Sequence, residues 1–276
     1  MRQVMKVNGL TVRYGDGCDY CANTADILDK NRCPRCKSVW AVRDISFELY
    51  PSEILGVVGE SGSGKSTLMK ALYFDLEATS GEAYLDAYGD GEANIFGVSS
   101  QQQRAIRNNL MGMVYQNPVM GLLMRYSSGG NVAQKLIAAG RRNVSAMQGR
   151  TYELLNHMEI PLSRVKEPPI NFSGGMQQRV QISKAIANNP PVLLLDEVTT
   201  GLDLSVQAKV LDLIRMVQKK LNIAIIVVSH DLAVIRMLAD RTIVMLGGRI
   251  VEHGFTDQIL EDPQHEFTQT LVHSLI

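Results

Sequence analysis

Three short apolar runs and one apolar segment split by a Gly-Gly pair mark the strands of this chain. The runs cover residues 54–59, 191–195 and 225–228, and none shows the polar alternation of a half-exposed strand. Continuous apolar runs of this length are typical of parallel strands that are buried on both faces. Residues 241–251 place two apolar stretches around the glycine pair, which predicts a hairpin with a two-residue turn. We therefore expect an α/β fold with buried parallel strands.

The middle of the chain, residues 97–180, has a different pattern and lacks long apolar runs. Three of its stretches are typical of helices, namely SSQQQRAIRNN, GGNVAQKLIAAG and RTYELLNHMEI. No internal repeat or low-complexity tract interrupts the chain. We therefore predict helices over residues 97–180 and a β-rich core built from residues 1–96 and 181–276.

The composition excludes several classes of protein. Of the 276 residues, 45% are hydrophobic, and 28 Lys and Arg balance 28 Asp and Glu, so the formal net charge is zero. A chain without net charge has no strong field to attract nucleic acid, so no nucleic-acid partner is expected. No run approaches the roughly 18 apolar residues of a membrane span, and residues 1–15 lack the long apolar core of a signal peptide. We expect a cytoplasmic protein with no direct membrane span.

A glycine-rich loop directly follows the first apolar run. Residues 59–66, GESGSGKS, fit the pattern G-x-x-x-x-G-K-S, and a helical pattern follows over residues 67–72. Glycines let the backbone approach phosphate groups closely, and the N-terminus of the next helix adds positive partial charge. Lys65 would reach the β- and γ-phosphates, and Ser66 would bind Mg²⁺. The predicted nucleotide-binding residues of this loop are Gly59, Ser61, Gly62, Ser63, Gly64, Lys65, Ser66 and Thr67.

Two carboxylates end the second apolar run. Asp196 and Glu197 follow residues 191–195 at the carboxyl end of a predicted parallel strand, where such sheets bind ligands. Asp196 is expected to reach the coordination shell of a magnesium ion. Glu197, the next residue, is expected to point to the opposite side of the strand from Asp196, where it could polarise a water molecule for in-line attack on a phosphate.

A further segment, residues 171–179 with the sequence NFSGGMQQR, precedes a helical run. It resembles the signature peptide of ABC-type ATPases, although Phe172 replaces the usual leucine and Met176 replaces a frequent glutamine. Ser173 as N-cap, followed by two glycines, would expose backbone N–H groups at a helix start and form a second anion site. The resemblance implies a P-loop NTPase core with an antiparallel β subdomain and an inserted helical subdomain, residues 97–180, that carries the signature. It also implies a head-to-tail dimer, in which the signature of one subunit closes on the ATP of the other.

The remaining motifs occur in the order of that family, so the resemblance covers essentially the whole chain. Tyr14 lies where the adenine-stacking aromatic residue is expected, and Gln116 in YQNP resembles the Q-loop glutamine that contacts Mg²⁺ and the attacking water. Asp203 resembles the D-loop aspartate at the dimer seam, and His230 would contact the γ-phosphate. The resemblance thus implies a Mg²⁺-dependent ATPase. The implied catalytic residues are Glu197, His230 and Gln116, the implied Mg²⁺ ligands are Ser66, Gln116 and Asp196, and the other implied contacts to ATP are Tyr14, Ser173, Gly174, Gly175 and Asp203.

Two branches of this family fit details of the chain. The segments YQNP and SGGM and the tail DPQHEFTQTL look like the oligopeptide and dipeptide importer branch, whose ATPases need separate membrane partners. In that branch the loop after Tyr14 leads quickly to the next strand, whereas this chain inserts residues 16–38.

With that insert, the chain most resembles the ATP-binding subunit of the phosphonate carbon–phosphorus lyase system. This resemblance implies a soluble ATPase that pairs with a copy of itself or a related ATPase chain. It would dock on the lyase core complex and leave the cleavage of the carbon–phosphorus bond to a partner. A non-hydrolysing clamp is a third class, against which the presence of Glu197 and His230 argues.

All four cysteines of the chain lie in the insert, at Cys18, Cys21, Cys33 and Cys36. Two C-x₂-C pairs suit one tetrahedral Zn²⁺, whose binding would supply the folding free energy that an insert poor in apolar residues lacks. Disulfides are disfavoured in the expected cytoplasmic location, and no thioredoxin-like unit surrounds either pair. An iron–sulfur centre stays open, because four thiolates also bind that group. We predict a structural zinc module beside the adenine end of the nucleotide site.

Overall fold

The computed structural model describes residues 2–23 and 31–273. The chain forms two compact units, one from residues 1–99 and 228–276 and the other from Ser100–Val227. The division predicted from the sequence, a core of residues 1–96 and 181–276 and a helical subdomain of residues 97–180, stays a prediction.

The first unit contains two groups of strands and several short helices. The strands are β1 (Met5–Tyr14), β2 (Val39–Leu49), β3 (Ile54–Gly59), β4 (Ser80–Leu85), β8 (Arg241–Leu246) and β9 (Arg249–Phe255). The helices are α1 (Asp19–Asn23), α2 (Lys65–Leu72), α9 (Leu232–Leu238), α10 (Thr256–Glu261) and α11 (Glu266–His273). Single 3₁₀ turns follow β4 at Gly89–Gly91 and Ile95–Gly97.

The first group of strands is an antiparallel sheet with the order β2-β1-β4. Met5 of the central strand pairs with Leu49 on one side and Leu85 on the other, and all three side chains are buried. The strands alternate buried and more exposed positions, as expected for a sheet with one face in the core. This sheet confirms the antiparallel β part of the predicted fold.

The second group, β3, β8 and β9, carries the glycine-rich loop. All six residues of β3 are buried, and β3 pairs in parallel with β8 from Leu55 opposite Arg241 to Gly59 opposite Met245. β8 then pairs antiparallel with β9 across Gly247 and Gly248, whose φ angles are +55° and +82°. Two positive φ angles in a row are what a tight two-residue hairpin turn requires. The buried strand and the hairpin that the apolar pattern predicts are both confirmed.

The second unit is mainly helical around three short strands. Its helices are α3 (Ser100–Asn109), α4 (Pro118–Gly121), α5 (Ser128–Ala138), α6 (Val144–His157), α7 (Gly174–Ala185) and α8 (Leu204–Leu221), with 3₁₀ turns at Leu162–Arg164 and Pro169–Asn171. Its strands are β5 (Met111–Val114), β6 (Val192–Asp196) and β7 (Ala224–Val228). None of the helices in the described part of the chain combines the length and hydropathy that a membrane crossing requires.

The strands of the second unit lie in the order β5-β6-β7, and every residue in them is buried. β6 and β7 confirm the second and third apolar runs as strands. β5 pairs in parallel with β6 from Met111 opposite Val192 to Val114 opposite Leu195. The apolar pattern does not predict β5, because its four residues are too few to distinguish a strand from part of a helix.

A buried lysine joins α5 to the start of β5. The Lys135 ammonium donates hydrogen bonds to the carbonyl oxygens of Arg107 at 2.6 Å and Met111 at 3.2 Å. Burial, together with the positive charges of Arg107 and Lys184, lowers the pKa of Lys135 to about 7. The stability of this unit should therefore depend on pH above neutrality.

Candidate functional site

The loop between β3 and α2 holds the Lys65 side chain in its interior. Lys65 is buried, and its Nζ donates hydrogen bonds to the carbonyl oxygens of Gly59 and Glu60, both at 2.8 Å. A third contact joins Nζ to Oγ of Ser63 at 3.4 Å. The loop thus fixes one positive charge next to the N-terminus of α2, where the helix dipole adds positive partial charge. This arrangement suits an anion.

Two glycines of the loop are required by the close approach of neighbouring backbone. Gly59 and Gly64 have φ angles of +149° and +102°. A Cβ atom at Gly64 would lie 1.9 Å from the carbonyl oxygen of Ala41 in β2, and one at Gly59 would lie 2.1 Å from that of Met245 in β8. No side chain fits at these distances, so only glycine lets the backbone of β2 and β8 approach the loop this closely.

Two other predicted site residues, Tyr14 and His230, belong to the same unit. The backbone N–H of Ser229 donates to the carbonyl oxygen of Val57 at 3.3 Å, which places His230 beside the strand that leads into the loop. His230 is exposed, and Tyr14, at the end of β1, exposes 45% of its surface. Both residues are therefore exposed, and their roles toward a nucleotide stay predictions.

In the second unit, the side chains of Gln116 and Glu197 are joined directly. Nε2 of Gln116 donates to Oε2 of Glu197 at 2.8 Å, and the hydroxyl of Thr200 donates to the same oxygen at 3.2 Å. Glu197 has a φ angle of +48°, in the left-handed region that side chains other than glycine rarely adopt. Asp196, one residue earlier, is buried at the end of β6. The two adjacent carboxylates therefore have different environments, and their different roles stay predictions.

Two buried glutamines of α7 hydrogen-bond to the backbone next to Gln116 and Glu197. Nε2 of Gln178 donates to the carbonyl oxygens of Tyr115 at 3.3 Å and Val198 at 3.2 Å, which are the neighbours of Gln116 and Glu197 in the chain. Gln181 donates to the same Tyr115 oxygen at 3.1 Å and to Oε1 of Gln178 at 2.7 Å, and it accepts from the Tyr115 N–H at 2.8 Å. Sequence reasoning does not identify Gln178 or Gln181 as site residues, because their partners lie up to 66 residues away.

The start of α7 contains the segment that resembles the signature peptide. The hydroxyl of Ser173 accepts a hydrogen bond from the Met176 N–H at 3.4 Å, so Ser173 is the N-cap as predicted. A Cβ atom at Gly175 would lie 2.5 Å from Cγ1 of Val206, so only glycine lets α7 approach α8 at this point. Phe172 is buried and lies under the guanidinium of Arg164, 4.5 Å from the ring centre, which explains how an aromatic ring replaces leucine here.

Asp203 caps α8 in the predicted D-loop. Its Oδ1 accepts hydrogen bonds from the hydroxyl of Ser205 at 2.7 Å and the N–H of Val206 at 3.0 Å. The Ser205 bond and the backbone bonds lower the pKa of Asp203, which is therefore charged at neutral pH. Leu204, next in the chain, exposes 83% of its surface.

These segments match a known family. The family model described as ABC transporter matches residues 42–200, which is more than half of the chain. The matched range includes the glycine-rich loop, the Gln116 segment, the signature segment and Asp196 with Glu197.

The chain belongs to the ABC transporter family.

Individual members of this family resemble the chain over most of its length. An Escherichia coli (strain K12) protein provisionally named phosphonates utilization ATP-binding protein PhnK is 42% identical over 233 residues, which cover 84% of this chain and 90% of that protein. The oligopeptide transport ATP-binding protein OppD of Bacillus subtilis (strain 168) is 37% identical over 239 residues, which cover 86% of this chain and 67% of that protein. The dipeptide transport ATP-binding protein DppD of Haemophilus influenzae is also 37% identical, over 85% of this chain and 72% of that protein.

Solved ABC structures confirm the fold. The ATP-binding cassette MJ0796, in a dimeric post-hydrolysis state bound to ADP and phosphate, aligns with a TM-score of 0.76 and 26% identity over 91% of this chain and 98% of that one. The protein cbiO1 from Clostridium perfringens, part of the ABC transporter complex cbiONQ, aligns with a TM-score of 0.76 over 94% of this chain and 91% of that one, and at 24% identity it shows the fold alone. The P-loop NTPase fold of the ABC ATPases, predicted from the motifs, is therefore confirmed.

This ABC ATPase also brings the four cysteines of its insert into one cluster. The four Sγ atoms all lie within 4.8 Å of one another, and no disulfide joins them. The separations are 3.8 Å from Cys18 to Cys21, 3.8 Å from Cys18 to Cys33 and 3.7 Å from Cys21 to Cys36. Hydrogen bonding to the side chain and backbone of Ser38 lowers the pKa of Cys36 to about 6. Part of the loop between the two pairs, residues 24–30, lies outside the described residues.

Proposed function

We propose that this ABC ATPase hydrolyses ATP with Mg²⁺ as a subunit of a phosphonate-breakdown system, docked on a carbon–phosphorus lyase core complex. The observation that carries the proposal is the 42% identity, over 84% of the chain, to a relative named for phosphonates utilization. The oligopeptide and dipeptide transport relatives share 35–37% identity over similar spans. The chain itself would not cleave the carbon–phosphorus bond, which would fall to a partner subunit.

The chemistry of the nucleotide site would be divided between charge compensation and orientation of water. Lys65 would bind the β- and γ-phosphates. Ser66, Gln116 and Asp196 offer hydroxyl, amide and carboxylate oxygens, the hard ligands that Mg²⁺ prefers, and Mg²⁺ bound there would offset phosphate charge. The contact of 2.8 Å between Gln116 and Glu197 supports a shared role, because it fixes the carboxylate that would polarise the attacking water.

The other predicted residues complete this assignment. His230 would contact the γ-phosphate, and Tyr14 would stack on the adenine. Ser173 with its two following glycines, and Asp203, would act across a head-to-tail dimer on the nucleotide of the second chain, which is either a copy or a related ATPase. The dimeric state of MJ0796 supports this arrangement. We also propose a cytoplasmic location, where thiols stay reduced, and a structural Zn²⁺ on the four cysteines.

The partner is tested by affinity purification from cells grown on a phosphonate as the only phosphorus source. The tagged chain is expected to bring down lyase subunits, identified by mass spectrometry, and to lose none of them when membranes are removed first. Recovery of membrane permeases without lyase subunits would replace the proposal by the importer function that the oligopeptide relatives favour. A tagged importer ATPase from the same cells is the matched control.

A further inference from the structure

The spacing of the four cysteine sulfurs fits one tetrahedral metal ion. When four sulfurs surround Zn²⁺ in a regular tetrahedron with Zn–S bonds of about 2.3 Å, neighbouring sulfurs lie about 3.8 Å apart. The three separations given above, 3.7 to 3.8 Å, agree with that value. The backbone N–H groups of Cys18 and Cys36 donate to the sulfurs of Cys21 at 3.3 Å and Cys33 at 3.5 Å, as donors in the outer shell of a metal site do.

The same spacing distinguishes a single metal ion from a disulfide or a cluster of several irons. A disulfide needs its two sulfurs about 2.05 Å apart. An iron–sulfur cluster places several irons and bridging sulfides between its cysteine ligands, so these ligands cannot all gather as closely as around one ion.

One residue of the insert reaches from this cluster to the nucleotide loop. Asn31 lies two residues before Cys33, and its Nδ2 donates to the carbonyl oxygen of Gly62 at 3.4 Å. The N–H at the other end of that peptide unit, on Ser63, donates to the carbonyl oxygen of Glu60 at 3.2 Å. Among the described residues, nothing lies within 4 Å of a Cβ atom built at Gly62, whose φ is +83°. Hydrogen bonds at both ends therefore help to orient this peptide unit.

The cysteine cluster is also hydrogen-bonded to the start of β2, the strand that contacts the nucleotide loop at Gly64. The Cys33 N–H donates to the carbonyl oxygen of Ser38 at 2.8 Å, and the hydroxyl of Ser38 accepts from the Gly17 N–H at 3.0 Å. β2 begins at the next residue and contains Ala41, whose carbonyl oxygen faces Gly64. The carbonyl oxygen of Asn31 accepts from the Trp40 N–H at 2.8 Å, which ties Asn31 to the same strand.

We infer that the four cysteines bind one zinc ion, and that bound zinc holds Asn31 against the Gly62 carbonyl and so raises the affinity of the loop for nucleotide. The inference rests on the proposed nucleotide binding by this loop and not on the phosphonate assignment. Without metal, the insert loses the free energy that folds it, and Asn31 loses its position. Since one hydrogen bond is at stake, the loss of zinc weakens ATP binding about two- to tenfold and does not abolish it.

The test combines metal analysis with titration calorimetry of ATP in the presence of Mg²⁺. Purified full-length protein is expected to contain about one zinc per chain. Asn31→Ala should keep this zinc and bind ATP about two- to tenfold more weakly. Removing zinc from the wild type with a chelator should cause the same loss, and removing it from Asn31→Ala should cause little more. Asn156→Ala, at an exposed position of α6, is the matched control and should bind ATP as the wild type does.

Several results would overturn the inference. Iron in place of zinc, or no bound metal, would remove the metal assignment. Equal ATP affinity of zinc-loaded and zinc-free wild type, or of Asn31→Ala and wild type, would remove the coupling. Because Asn31→Ala alters no cysteine, it tests the coupling even if cysteine variants fail to fold. Failure to recover lyase subunits in the purification experiment would leave all these measurements unaffected, so the two proposals fail separately.

Discussion

The buried glutamine network behind Gln116 and Glu197 gives a quantitative prediction. Gln178 is 3% exposed and makes three hydrogen bonds, two as donor to the Tyr115 and Val198 carbonyls and one as acceptor from Gln181. Gln178→Leu keeps the approximate volume but removes all three. Each bond contributes about 0.5–1.5 kcal/mol, and the polar groups left buried cost more, so the variant should lose about 2–4 kcal/mol of unfolding free energy.

The same substitution should affect ATP turnover more than ATP binding. The Tyr115 and Val198 carbonyls adjoin Gln116 and Glu197, so their release shifts the two side chains proposed to orient water. We expect kcat to fall about tenfold or more, because small misplacements of reacting groups have effects of this size. KM for ATP should change little, because the Lys65 loop keeps all its contacts. Such a split marks an interaction that matters for the chemical step.

Urea unfolding and steady-state ATPase assays on the same preparation measure both effects. Gln148→Leu is the control, because Gln148 is an exposed residue of α6 whose side chain donates only to the Tyr152 hydroxyl among the contacts described. It should change the unfolding free energy by no more than about 0.5 kcal/mol. If Gln178→Leu were as stable and as active as this control, the network would not position the site. A stability loss with unchanged kcat would limit the network to a structural role.

Three other predictions follow from the site and the fold. Glu197→Gln should abolish turnover and trap an ATP-bound dimer, seen by light scattering, and full activity in this variant would remove Glu197 as the catalytic base. Ser173→Arg should block dimerisation while Lys65 of the same chain still binds nucleotide, and complete loss of nucleotide binding would contradict the action of the signature across the dimer. Lys135 has a folded pKa of about 7, whereas the unfolded chain keeps this proton to about pH 10.4, so unfolding takes up a proton between these values and stability should rise with pH there. Lys135→Met should lose this pH dependence, which amounts to up to about 1.4 kcal/mol of unfolding free energy per pH unit. Denaturant unfolding between pH 7 and 9 measures it. If the unfolding free energy of the variant rose with pH as steeply as that of the wild type, Lys135 would be charged in the folded chain.

Features of the fold that depend on local chemistry could be predicted from the sequence. The strand β3 and its loop are of this kind, because a buried run, glycines at positive φ and a lysine at one spacing specify the structure within a dozen residues. The hairpin at Gly247 and Gly248 and the N-cap at Ser173 are local in the same sense. The cysteine cluster was predictable as well, since paired C-x₂-C spacing brings four sulfurs together wherever the chain between the pairs can close.

Features that depend on distant contacts could not be predicted. β5 becomes a strand because β6 pairs with it, and its four residues carry no periodic signal of their own. Gln178 follows the signature serine and glycines as one polar residue among several, and only its burial against Tyr115 and Val198 distinguishes it. The bond from Asn31 to Gly62 joins residues 31 apart. Asn31 lies inside the insert, whose path no pattern in the sequence indicates.

The left-handed backbone at Glu197 has a consequence for how this position tolerates change. Glycine would relieve about 1 kcal/mol of conformational strain there, whereas most other residues, Asn and Asp least, would retain it. Glycine would also delete the carboxylate that the proposed chemistry needs. A library of single substitutions selected for resistance to heating would therefore enrich glycine at position 197, whereas the same library selected for ATP turnover would eliminate it. Selection for stability alone would therefore remove catalytic activity at position 197.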